Sequence, residues 1–122
     1  MSQTAQLSSF PSPVVSLHNG KPTTTSLNVA EVFNKRHDHI IRDIRILSDN
    51  VPETFRAPNF GESSYINEQG KEQPMFTLTR DGLTLLVMGY TGKKAVQFKL
   101  AYIEAFNAME AKIFQTPSPA PP

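Results

Sequence analysis

The chain has no cysteine. That excludes disulfides, thiolate metal sites and a thiol nucleophile, and it fits a reducing compartment, so a cytoplasmic location is expected. It has no apolar run long enough to span a membrane, and its N-terminus lacks a charged stretch followed by an apolar one, so no membrane association is expected. An excess of one charge sign is missing too: 12 Lys and Arg stand against 11 Asp and Glu, a formal net charge of +1. Nonspecific coating of nucleic acid is therefore disfavoured, whereas specific binding depends on local clustering. No set of titratable side chains converges in the sequence. The serines lie mostly towards the ends and the acids are scattered, so neither an enzyme activity nor a cofactor is expected.

What is present suffices for one small domain. Residues 1–13 are rich in Ser, Gln and Pro, and residues 115–122 end in TPSPAPP. Both are expected to be disordered tails, because such compositions bury too little apolar surface to offset ordering entropy. The folded domain is expected over residues 14–114.

Residues 26–47, SLNVAEVFNKRHDHIIRDIRIL, carry most of the information. Leu27, Ala30 and Phe33 fall at helical spacing, and Ile40, Ile41, Ile44 and Leu47 form a second apolar stripe. Ser26 and Asp38 are expected N-caps, and Asn34 tolerates the left-handed backbone of a tight turn. A small Ala30 lets the helices cross closely, and Lys35, Arg36, His37, His39, Arg42 and Arg45 surround the corner and the second helix. This pattern suits a helix-turn-helix whose second helix enters the major groove. The plain alternative is a helix pair with a solvated face, on which Asp38 and Arg42 form an i,i+4 ion pair.

Around this unit, Asn19-Gly20 between two extended runs predicts a hairpin. Residues 51–64 read as polar and irregular. A second hairpin is predicted over residues 65–78, turning at 67–71, with Phe76 and Leu78 alternating with Met75, Thr77 and Thr79. Thr79 is the expected cap of a third helix, with Asp81 in its first turn and Leu83, Leu86, Val87 and Tyr90 on its buried face. The last helix is predicted over residues 93–114, with Ala95, Phe98, Tyr102, Ala105 and Met109 along one side. Phe106 and Ile113 widen that side, which suggests a homodimer seam around Phe106, Met109 and Ile113, core packing being the alternative. The expected fold is α+β, a small winged-helix-like or helix-turn-helix domain with two β-hairpins and a long C-terminal helix.

Lys93, Lys94 and Lys99 make a second basic cluster, with no acid between Asp81 and Glu104. TGKK lacks the longer glycine-rich pattern of a phosphate loop, so backbone phosphate contact by Lys93 and Lys94 is the better reading. His37 and His39 are spaced HxH, but no Cys or third close ligand supports zinc, and no metal is expected.

The chain resembles the phage regulatory protein Rha family of temperate phages and prophages. The resemblance rests on SLNVAEVFNKRHDHIIRDI and on PMFTLTRDGLTLLVMGYTGKKAVQFKLAYIEAFNAME, where TRDG, LVMGYTGKKA and YIEAFN follow in order. Asn34 stands where members tend to carry Gly. The resemblance implies a DNA-associated transcription regulator acting in a bacterial host cell. It also implies that many members carry a further C-terminal domain, sometimes of antirepressor type. With the chain ending just after the long helix, the activity of such a domain is expected to be absent. Two readings follow. In the first, double-stranded DNA is bound by Lys35, Arg36, His37, His39, Arg42 and Arg45, by Lys71 at the hairpin acting as a wing, and by Lys93 and Lys94. In the second, the chain is a protein-interaction module of antirepressor type acting on a repressor or host regulatory protein.

Overall fold

The computed structural model describes residues 12–115. The tails expected over 1–13 and 115–122 lie almost wholly outside these residues. Among the described residues, five helices accompany a four-stranded antiparallel sheet, so the fold is α+β. Strands β1 (Ser16–His18) and β2 (Lys21–Thr25) lead into helices α1 (Ser26–Phe33), α2 (His37–Asn50) and α3 (Glu53–Asn59). Strands β3 (Phe60–Ile66) and β4 (Glu72–Thr79) follow, then helices α4 (Arg80–Val87) and α5 (Lys93–Gln115). The strand order is β1-β2-β4-β3. The strand entering the helix pair is thus joined to the return strand of the later hairpin.

The first hairpin forms as its sequence predicts. Asn19 and Gly20 both have positive φ, 55° and 80°, as a two-residue hairpin turn requires. Pro22 is tolerated because it sits opposite Leu17, before the pairing of β2 with β4 begins at Thr23. Thr24, Leu78 and Phe60 lie opposite one another across β2, β4 and β3 and are all buried, which anchors the register of three strands.

The caps of the helix pair differ from expectation. Thr25, not Ser26, caps α1, its side chain accepting from Asn28 N at 3.1 Å. Ser26 is fully buried inside the first turn. Arg36, not Asp38, precedes α2 and gives no side-chain cap. Asp38 lies one residue inside, where the helix dipole favours an acid. The turn itself is as expected. Asn34 is left-handed at φ 56° and ψ 49°. Its N–H donates to Glu31 O at 3.3 Å and that of Lys35 to Ala30 O at 2.9 Å, the paired bonds that close a helix C-terminus.

Residues 51–64 are not irregular. They form α3 and most of β3. Helix α3 carries Pro58 and no fully buried residue, so it lacks the apolar period by which a helix is recognised. Arg56 holds it by bonds to Glu53 and to Ser48 O, and Phe55 packs edge-on to Phe60 with centroids 6.0 Å apart. Strand β3 is mostly exposed and is defined by its unbroken pairing with β4 from Phe60↔Leu78 to Ile66↔Glu72.

Helix α4 is capped by Thr79, which accepts from Gly82 N at 3.2 Å. A Cβ at position 82 would collide with the carbonyl oxygen of Asn59, so glycine lets α4 approach the α3–β3 corner. Helix α5 buries Ala95, Tyr102 and Phe106. Phe106 is 1% exposed and belongs to the core of its own chain, so it drops out of the expected dimer seam, of which Met109 and Ile113 stay partly exposed. Phe33 binds α1 to this end of the molecule, 5.4 Å from the rings of both Tyr90 and Phe98 and 6.1 Å from that of Tyr102. Such aromatic packing adds to simple burial.

Beneath the helix pair lies a polar hub. Asn28 Oδ1 accepts from Val14 N at 2.8 Å, Tyr102 Oη at 2.6 Å and Thr24 Oγ1 at 3.3 Å. Asn28 Nδ2 donates to Ser12 O at 3.0 Å. The hub ties the N-terminal segment, β2, α1 and α5 together. Among the described residues, no buried side-chain N or O lacks a partner. No helix among them is long and apolar enough to cross a membrane.

Candidate nucleic-acid interface

Helix α2 turns Ile40, Ile41 and Ile44 into the core. At 3.6 residues per turn, that leaves His39, Arg42 and Arg45 on the opposite, exposed side. The β3–β4 hairpin stands beside it. His37, Asp38, Ile41, Arg42 and Arg45 of α2 share a groove of about 330 Å³ with Tyr65, Gln73 and Pro74 of the hairpin. Sequence reasoning named the arginines but missed Tyr65 and Gln73. Their strand positions carry no charge signal, and only the β3–β4 register brings them to the helix.

The cations are not equally free. Arg36 makes a two-pronged pair with Asp38, at 3.1 and 3.0 Å. That bond holds the Asp38 carboxyl below the ordinary carboxylate range. Arg42 reaches Asp43 at 3.5 Å, so the i,i+4 pair between Asp38 and Arg42 does not form. Asp43 also accepts from Tyr90 Oη at 3.0 Å. Burial, then this carboxylate, push the Tyr90 phenol well above its ordinary value. Arg45 and His39 are exposed. Lys71 ends the hairpin turn, whose shape is set by Asn67 Oδ1 accepting from Gln69 N and Lys71 N, each at 2.9 Å.

His37 is directed inward. Its Nε2 lies 2.9 Å from Ser26 Oγ, and its ring packs edge-on to Tyr65 at 5.7 Å. Ser26 Oγ also accepts from Phe76 N at 2.9 Å, and its second lone pair and its proton let it accept from or donate to His37 Nε2 according to the ring's tautomer. Burial lowers the pKa of His37, against the raising effect of Asp38. The serine is too buried to act as a nucleophile, so the pair is a pin between α1, α2 and β4. The two histidines of HxH do not converge.

The remaining lysines lie elsewhere. Lys35 Nζ sits 4.5 Å from the centroid of the Tyr90 ring. It shares with Lys94, Thr91 and Asn34 a second groove of about 410 Å³, at the corner between α1 and the start of α5. Lys93 and Lys94 are exposed in the first turn of α5. Lys99 leaves the proposed cluster, because its Nζ donates to Tyr90 O at 2.6 Å.

Residues 24–111 match the family described as Phage regulatory protein Rha. An uncharacterized protein of Haemophilus influenzae is 47% identical over 94 residues, 75% of this chain and 54% of that protein. The "Uncharacterized 22.8 kDa protein in gp15-gp3 intergenic region" of Salmonella phage P22 is 36% identical over 82% of this chain and 50% of its own length. The "SPbeta prophage-derived putative antirepressor protein YoqD" of Bacillus subtilis is 32% identical over 82% of this chain and 41% of its own length. The chain thus spans about half the length of the curated relatives it matches. No solved structure matches it. On the extent of that match, which takes in both helices, the hairpin and nearly all of α5, the chain belongs to the phage regulatory protein Rha family.

Proposed function

We propose that this chain is a phage or prophage transcription regulator that binds double-stranded DNA in the cytoplasm of a bacterial host. The observation that carries the reading is the groove shared by Arg42 and Arg45 of α2 with Tyr65 and Gln73 of the hairpin. A strand, two helices joined by a tight turn, a short third helix, and a hairpin whose return strand pairs with that first strand support a winged-helix-like reading. In such a unit the second helix enters the major groove while neighbouring loops touch the backbone. Arg42 and Arg45 would address base edges or phosphates, Arg36 and His39 the nearby backbone, and Lys71 the backbone beside the wing. Lys35, Lys93 and Lys94 would hold phosphate from the other side of the helix-turn-helix corner. His37 serves by fixing the start of α2 rather than by touching DNA. Regulation is by occupancy of the site.

A second reading, a module acting on a repressor in the antirepressor manner, is supported by the 32% identical Bacillus subtilis relative, which is named an antirepressor protein. Sequencing DNA retained by the purified protein from fragmented phage and host genomes tests the first reading. Arg42→Ala with Arg45→Ala should then weaken binding to the recovered site while circular dichroism stays unchanged. Each lost base contact is worth about 1–3 kcal/mol. Affinity should also fall steeply with salt, as counterion release demands. Binding that ignores both salt and the arginines, or no enrichment of any DNA, overturns it in favour of the second reading.

A further inference from the structure

Helix α5 has two apolar faces, and the core accounts for only one. Ala95, Phe98, Tyr102 and Phe106 face inward, buried or partly so. Val96, Leu100 and Ile103 remain 53%, 53% and 47% exposed. Their spacing of four and three residues makes a seam of the kind that packs helix against helix. Lys93 and Asn107 extend the seam at seven-residue steps on either side of Leu100. Next to it, Met88 is 68% exposed and joins Ile103, Thr84 and Val87 around a groove of about 170 Å³ between α4 and α5. Together these side chains expose apolar area on the order of a few hundred Å², the size of patch that marks an interaction site on a monomer.

The charges beside the seam identify its occupant. Lys93 and Lys94 at one end and Glu104 towards the other have no ion-pair partner among the described residues. Lys93 and Glu104 lie three helical turns apart on the seam side. Laid antiparallel against a second α5, Lys93 of each copy meets Glu104 of the other. A parallel arrangement sets like charges together. The patch is therefore complementary to itself about a two-fold axis, the condition for a closed dimer.

We infer that two copies of this chain associate through antiparallel α5 helices, burying Val96, Leu100, Ile103 and Met88 and pairing Lys93 with Glu104 across the axis. The surface is at the small end of specific interfaces, the size of weak and transient associations. The inference is independent of DNA binding.

Sedimentation of the full chain over a wide micromolar range tests it. The wild type should show a concentration-dependent monomer–dimer equilibrium. Leu100→Glu with Ile103→Glu should be monomeric throughout, with unchanged circular dichroism and the melting of the dilute, monomeric wild type, because neither residue is in the core. Lys93→Glu and Glu104→Lys, each alone, should weaken association by about tenfold through like-charge contacts. The double exchange should restore it, which distinguishes this register from loss of fold. A wild type monomeric at every concentration overturns the inference, as expected if a different protein covers the face. So does a dimer that survives Leu100→Glu with Ile103→Glu, or charge variants that the double exchange does not rescue.

Discussion

Replacing Asn28 with Ala tests whether the polar hub, rather than apolar packing alone, holds α1 under α2. The substitution strands the Tyr102 hydroxyl, which donates to Asn28 Oδ1 at 2.6 Å from a position 2% exposed. It also removes the 3.3 Å bond of the buried Thr24 hydroxyl, the weaker contribution, and leaves it only the neighbouring Tyr102 oxygen. Val14 is exposed and its N–H can turn to water. An unmade buried hydrogen bond costs about 1–3 kcal/mol. One strong orphan and one weak lost bond, plus the void left by the amide, give a loss of roughly 2–4 kcal/mol. For a domain of this size that lowers Tm by on the order of 10 °C or more. Tyr102→Phe should be much milder, about 1 kcal/mol or less, because Asn28 Oδ1 keeps two donors. In the double variant the orphaned phenol is gone, so the combined loss should fall short of additivity by about 1 kcal/mol. Urea and thermal unfolding followed by circular dichroism measure all three. The reasoning fails if Asn28→Ala is neutral, if Tyr102→Phe costs as much, or if the two losses simply add.

Gly82→Ala should destabilise by about 1–3 kcal/mol through overpacking against the Asn59 carbonyl, although Ala is the better helix former; equal or greater stability in chemical denaturation would show that the corner can yield. His37 binds its proton less readily folded than unfolded, where its pKa is near 6.5. Stability should therefore be complete above about 6.5, fall as pH drops through that value and level off below the lowered folded pKa. His37→Gln should flatten that part of the curve in pH-dependent unfolding, and an unchanged slope would place the titration elsewhere. If the hairpin tip lies near DNA, Lys71→Glu should weaken binding similarly on all sequences and less so at high salt. Loss on one operator alone would mean base readout by the tip, and no loss would turn the hairpin away from DNA.

Local chemistry alone made several elements legible. Asn19-Gly20 favours one tight hairpin, Thr79 caps α4, Asn34 accepts the left-handed turn, and Ile40, Ile41 and Ile44 define the inner side of α2. Each rests on residues within a turn or two of one another, where backbone preference and apolar period act directly. The family resemblance was legible for the same reason, as runs such as TRDG and YIEAFN are contiguous. The structure added what depends on distant partners. Helix α3 and most of β3 take shape from Ser48, Phe60 and the β4 backbone, none of which a local period reports. Thr25 rather than Ser26 caps α1 because Ser26 is taken by Phe76 and His37, 50 and 11 residues away. The same bond turns His37 inward and removes it from the cations facing solvent. Helix α5 shows the limit most directly: two apolar stripes run along it, and sequence reasoning saw only the inner one. Phe33 and Arg80 decide between them, one stacking its ring on Tyr102 and the other lying over Phe106 while bonded to Glu110 and Asn107. Burial of a helix face depends on what packs against it, and those partners come from elsewhere in the chain.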